Sequence, residues 1–146
     1  MLDSYRDLIE GLTEESTTLR ELLGSPVPDD LPADASSLLK TARAREGAVL
    51  RRAQSVMRHE NVNLRTIENE PDVLAAAELT DSPEVLLTAF EHDRGELVSL
   101  LINLTLKDWE RKVPHYALGE TTLAEEIEEH LSWEEDTLPT FEAALG

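Results

Sequence analysis

The chain has 146 residues, enough for one domain (1–146) with a core of its own. It contains no cysteine, which excludes disulfides, thiolate metal sites and thiol nucleophiles. Its 31 acidic residues against 13 basic ones leave a net charge of −18, a surface that repels phosphate backbones and speaks against nucleic acid as a partner.

The opening "MLDSYRDLIE" carries acids early and has no continuous apolar stretch, so it does not read as a signal peptide. No segment reaches the ~18 consecutive apolar residues of a membrane helix. A cytoplasmic protein without a membrane partner is the expectation. The first helix is predicted from Leu2 to Leu23, ended by Gly24, Pro26, Pro28 and Pro32. The second is predicted from an N-cap at Ser36 to about His59. Its arginines, Arg43, Arg45, Arg51, Arg52 and Arg58, are the best candidate basic patch. In so acidic a chain they read as a solvated face that answers nearby Asp and Glu.

A connection of about twenty residues follows, with a short helix over "PDVLAAAEL". Ser82-Pro83-Glu84 then gives cap, first-turn proline and first-turn acid, predicting a third helix to about Leu106. "KDWERKVPHYALGE" reads as a second connector without strand signals. Thr122 and Glu125 form a capping box for the fourth helix. Pro139 is expected to bend or end it. The fold class predicted is all-α, a four-helix bundle, with the long second link able to carry a crossover between the second and third helices.

Each helix shows an apolar stripe with one polar interruption near its midpoint. The first has Tyr5, Leu8, Leu12, Leu19 and Leu23 around Ser16; the second has Leu38, Ala42, Val49, Ala53 and Val56 around Glu46. The third has Leu86, Phe90, Leu97, Leu100 and Leu104 around Asp93. The fourth has Leu123, Ile127, Leu131, Leu138, Phe141 and Leu145 around Glu134, with His130 near the stripe's edge. Helices of matched length share a level at their midpoints, so Ser16, Glu46, Asp93 and Glu134 are predicted to form one interior polar layer. Three carboxylates there need compensation. Arg45 or Arg94 could insert, an acid could take up a proton, or a divalent cation could be shared with His130 as a nitrogen ligand. No Glu-x-x-His occurs, so the di-iron bundle pattern is absent. Trp109, Trp133 and Tyr116 read as connector and helix-edge packing, with a pocket or dimer contact as the alternative.

The segment from Phe90 to Phe141 resembles the DinB/YfiT-like superfamily. The likeness is carried by Leu101 to Leu104, Asp108-Trp109, Arg111 and Lys112, Gly119 with Thr122-Leu123, and the helix to Phe141. Glu46 and the arginines after it extend it to the second helix. The resemblance implies a four-helix bundle with crossover topology, frequently a homodimer. It also implies a divalent metal held by three histidines, one on the second helix and two on the last, and in some members thiol-dependent transfer or isomerisation. Laid on that pattern, the ligand positions fall at Thr41, Glu134 and Leu138. Thr and Leu cannot replace imidazole, and one carboxylate holds a transition metal weakly. The expectation is therefore a bundle that has lost its metal and acts without cofactor or catalysis, binding a small ligand or a protein. The alternative is an enzyme with a relocated carboxylate site, Glu46, Asp93, Glu134 and His130, used as acid–base groups or around Mg or Mn. A stress-response interaction protein whose acidic surface meets a basic partner is a third reading.

Overall fold

The computed structural model describes residues 2–60 and 62–146 and is mostly helical. In chain order the helices are α1 (Leu2–Leu23), α2 (Ala33–Met57), α3 (Pro71–Leu74), α4 (Pro83–Ile102), α5 (Leu106–Trp109) and α6 (Leu123–Leu145). Single 3₁₀ turns at Ile67–Asn69 and Ala76–Glu78 flank α3, and strands β1 (Lys112–His115) and β2 (Gly119–Thr122) precede α6. None of these helices is long and apolar enough to cross a membrane.

Helix α1 stops where expected. Gly24 takes φ 81°, a left-handed conformation that suits glycine, and donates its N–H to the Arg20 carbonyl at 2.8 Å. Helix α2 starts earlier than the Ser36 cap predicted. Pro32 stands at its N-cap, and the N–H of Ser36 already donates to the Pro32 carbonyl at 2.9 Å. Asp34 in the first turn complements the helix dipole, a start signal that outweighs Ser36. At α4 the Ser82 hydroxyl accepts the Val85 N–H at 3.3 Å, as predicted. The helix ends at Ile102 rather than Leu106, because Thr105 and Asp108 form a reciprocal capping box that begins α5.

The second connector contains a hairpin that the sequence does not announce. Strands β1 and β2 pair antiparallel, Val113 opposite Thr121 and His115 opposite Gly119. Leu64 joins the outer edge, donating its N–H to the Pro114 carbonyl at 2.9 Å and accepting from Tyr116 N–H at 2.8 Å. Gly119, at φ 83°, closes the turn. Thr122 then caps α6, accepting the Glu125 N–H at 3.1 Å. Only half of the predicted box forms, since the Glu125 carboxylate accepts from the Thr121 hydroxyl at 3.2 Å instead.

Pro139 neither ends α6 nor interrupts it, and the helix continues to Leu145. The ring is exposed, so the carbonyl it leaves without a helical partner can be hydrated. Pro139→Ala is therefore expected to raise unfolding free energy by about 1 kcal/mol, less than the penalty of a mid-helix proline because the site is near the helix end. An unchanged or lower urea midpoint would contradict it.

Helices α1 and α2 each pack on both α4 and α6. The core divides into two main clusters and a small third one of Val56, Leu64 and Val113. The first main cluster contains Leu12, Val49, Leu97, Ile127 and Leu131; the second contains Leu19, Leu39, Phe90 and Phe141. Leucines such as Leu87 and Leu97 are wholly inaccessible, each stabilising the fold by ~1.5–3 kcal/mol. Along α1 and α6 the chain passes from the first cluster to the second; along α2 and α4 it passes from the second to the first. Every long helix thus crosses the level between the clusters, and that level is polar.

Candidate functional site

Three of the long helices deliver charged side chains to the level between the clusters. Glu46 comes from the middle of α2, Arg94 from the middle of α4, and His130 and Glu134 from one face of α6, four residues apart. All four are buried. Arg94 donates from Nε to Glu46 Oε2 and from Nη2 to Glu46 Oε1, both at 2.7 Å. Its Nη2 also reaches Glu134 Oε1 at 2.6 Å, and its Nη1 donates to the Leu12 carbonyl at 2.5 Å. His130 Nε2 lies 2.7 Å from Glu46 Oε1. The α1 contribution is thus a backbone carbonyl and not Ser16, which is half-buried and makes no side-chain hydrogen bond among the described residues.

Burial alone would push the Glu46 carboxyl up. The Arg94 charge and hydrogen bonds, then those of His130, overrule it and hold the group down from 4.5 to about 2. Burial likewise works against the Arg94 charge, and Glu46 and Glu134 overcome it, so the guanidinium binds its proton more firmly than usual. Glu46 is ionised, and His130 Nε2 therefore carries the proton between them. His130 Nδ1 is buried without a hydrogen-bond partner among the described residues.

Asp93 does not join this layer. It is half-buried on the neighbouring face of α4, accepting from Arg43 Nη1 at 2.9 Å. The buried stripe of α4 runs Leu87, Phe90, Arg94, Leu97 and Leu101, so Asp93 stands about 100° off it. Of the positions implied by the family resemblance, Glu134 belongs to the ion cluster. Leu138 packs in the second apolar cluster, and Thr41 is half-buried on α2.

Glu46, His130 and Glu134 each offer a ligand atom, and these lie within 4.8 Å of one another, a donor set that could hold a metal. Arg94 does not fit alongside an ion there. Its guanidinium bonds both carboxylates, and a divalent cation would need those same oxygens against like-charge repulsion.

Beside this cluster lies a cavity of about 300 Å³, walled by α2, α6, the Leu64–Ile67 segment and the hairpin. Arg45 and His130 line it on the side of the ion cluster. Arg45 is 1% exposed, donates from Nη1 to Glu68 at 3.3 Å, and carries its guanidinium carbon 4.4 Å from the Trp133 ring centroid. Arg52 is also buried; it donates to the Arg65 carbonyl at 2.6 Å, to Glu70 at 3.0 Å and to Glu126. The arginine run is therefore not one solvated face. Arg43 and Arg51 pair with Asp93 and Asp72 nearer the surface, whereas Arg45 and Arg52 turn inward.

His115, placed in a featureless connector by its sequence, is buried on this wall. Its Nδ1 accepts the N–H groups of Ala117 and Leu118 at 3.1 and 3.0 Å. A Val-Pro-His alternation that buries Val113 and His115 was the available signal, but it is only four residues long. Trp109 packs as expected, stacked on Tyr5 with ring centroids 4.8 Å apart, and Tyr116 is exposed at the hairpin tip. No protein-family model matches the chain, and no curated protein or solved structure matches it.

Proposed function

We propose that the chain is a DinB-like four-helix bundle, with a crossover between α2 and α4, that binds a small ligand without a divalent metal and without catalysis. Two consecutive long helices that run in the same sense between the core clusters support the crossover. One observation carries the functional reading. Arg94 fills the interior donor set with its own positive charge, while the adjacent cavity keeps room for a small molecule. An ion-paired midplane fixes helix register and offers no open coordination position, whereas a largely apolar concavity with a few polar groups is the usual form of a ligand site.

Elemental analysis of the native protein, with a thermal-shift panel of Mg, Mn and Zn, tests this. The expected result is no stoichiometric metal and no rise in Tm, since an ion that binds the native state must stabilise it. A tightly held metal would overturn the proposal. It would favour the second reading, a relocated site on Glu46, His130 and Glu134, whose ligand atoms are close enough to share an ion once Arg94 leaves. Asp93 has no part in either version.

A further inference from the structure

Arg45 is a buried cation with too few partners. A guanidinium has five N–H donors and stays charged in proteins. Among the described residues, Arg45 makes one hydrogen bond, to a half-exposed Glu68 carboxylate at 3.3 Å, and its Nε is buried with none. The Trp133 face beneath it attracts the charge but accepts no in-plane hydrogen bond. Burial weakens its hold on its proton, and Glu68 only partly restores it. Interior ions in this state are costly unless an anion completes them.

His115 lines the same cavity. His115 Nδ1 is committed as an acceptor of two backbone N–H groups, so Nε2 bears the ring proton of the neutral imidazole. That N–H has no acceptor among the described residues, although the side chain is 6% exposed and lines the cavity. Val49, Ala53, Val56, Leu64, Ile67 and Ile127 supply the apolar part of the wall, beside Thr66, Thr121 and His130. The charge around the cavity sets a limit. Arg52 is already engaged by Glu70 and Glu126, and Glu125 and Glu129 also stand on the lining. One negative charge can be compensated by Arg45; a second would meet carboxylates. The volume equals about ten water molecules, space for a ligand of about ten non-hydrogen atoms.

We propose that the cavity binds a small monocarboxylate with an apolar body, its carboxylate on Arg45 and its hydrocarbon against the α2–α6 wall. His115 supplies a further donor. The inference rests on the ligand-binding function proposed above and adds the chemical class.

The test titrates the full chain with phenylacetate, phenylacetamide and benzylphosphonate by calorimetry, following the Arg45 Nε–H resonance by NMR. Phenylacetate is expected to bind at least about tenfold more tightly than the other two and to shift that resonance, since a hydrogen bond between ions exceeds a neutral one. Arg45→Met should abolish the preference by weakening phenylacetate much more than phenylacetamide. Arg45→Lys, which keeps the charge but loses the planar fork, should retain part of it. If phenylacetate and phenylacetamide bind equally, or benzylphosphonate binds most tightly, the monocarboxylate assignment is overturned while a ligand cavity stands. If no probe binds at millimolar concentration, the ligand-binding function fails and the assignment falls with it.

Discussion

Arg94→Met is expected to lose roughly 3–5 kcal/mol of unfolding free energy, the range seen when one partner of a buried ion pair is removed. The methionine fills similar space but leaves Glu46 and Glu134, both almost fully buried, with a single imidazole between them. It also strips the Leu12 carbonyl of its added donor. The cost arises from stranded charge and not from lost volume, and a second substitution separates the two. Arg94→Met combined with Glu134→Met leaves only the Glu46–His130 pair and adds apolar surface between the two core clusters. The double variant should recover the part of the loss that Glu134 carries, while Glu46 keeps only His130 as a partner. Urea melts of the three proteins decide it. A double variant no more stable than Arg94→Met would mean that a stranded Glu134 charge is not part of the cost. The single variant carries a second readout: with Arg94 gone, Mn or Zn should raise its Tm while leaving the parent unmoved, if Glu46, His130 and Glu134 are the donors that the guanidinium blocks.

That the midplane would be polar was legible in the sequence, because Glu46 and Glu134 interrupt apolar stripes at matched depths, and helix midpoints share a level. The error at Asp93 has a simple geometric origin. Stripes through positions 86, 90, 93, 97 and 100 and through 87, 90, 94, 97 and 101 both follow helical spacing, and both are rich in leucine. Only the neighbouring helices decide which face turns inward, and they present two carboxylates that favour the arginine. Ser16 failed for a related reason: α1 supplies its backbone at that level, and a carbonyl has no sequence signature. The hairpin was hidden by its brevity, four residues a strand with a proline in one. With it went the cavity, whose wall is assembled from Leu64, Ile67 and His115, residues that carry no mutual spacing rule. Helix periodicity therefore reports the core between the long helices well and reports little of a pocket closed by connectors.

Acid should weaken this fold through Glu46 specifically. Its folded value of about 2 lies below the ordinary 4.5, so the unfolded chain takes up this proton first. The linked stability is fully present above pH ~4.5 and is lost as the pH falls from there toward ~2, an effect of the order of 3 kcal/mol. Other acids act in the opposite sense. Glu15 is pushed up, first by partial burial and then by Glu134 and Glu135, so its protonation favours the folded state. Neutralising part of the −18 charge also relieves repulsion across the whole surface. A single pH–stability curve mixes these contributions, and the comparison with Glu46→Gln separates them. Glutamine keeps an acceptor for Arg94 and His130 but has no proton to gain, so the variant is less stable at neutral pH, and the gap between the two proteins should close as the pH falls through the window. Urea midpoints between pH 6 and pH 2.5 would show that convergence. A gap that stays constant with pH would mean that Glu46 does not carry the charge on which Arg94 and His130 converge, and the ion-paired midplane would have to be reassigned to Glu134.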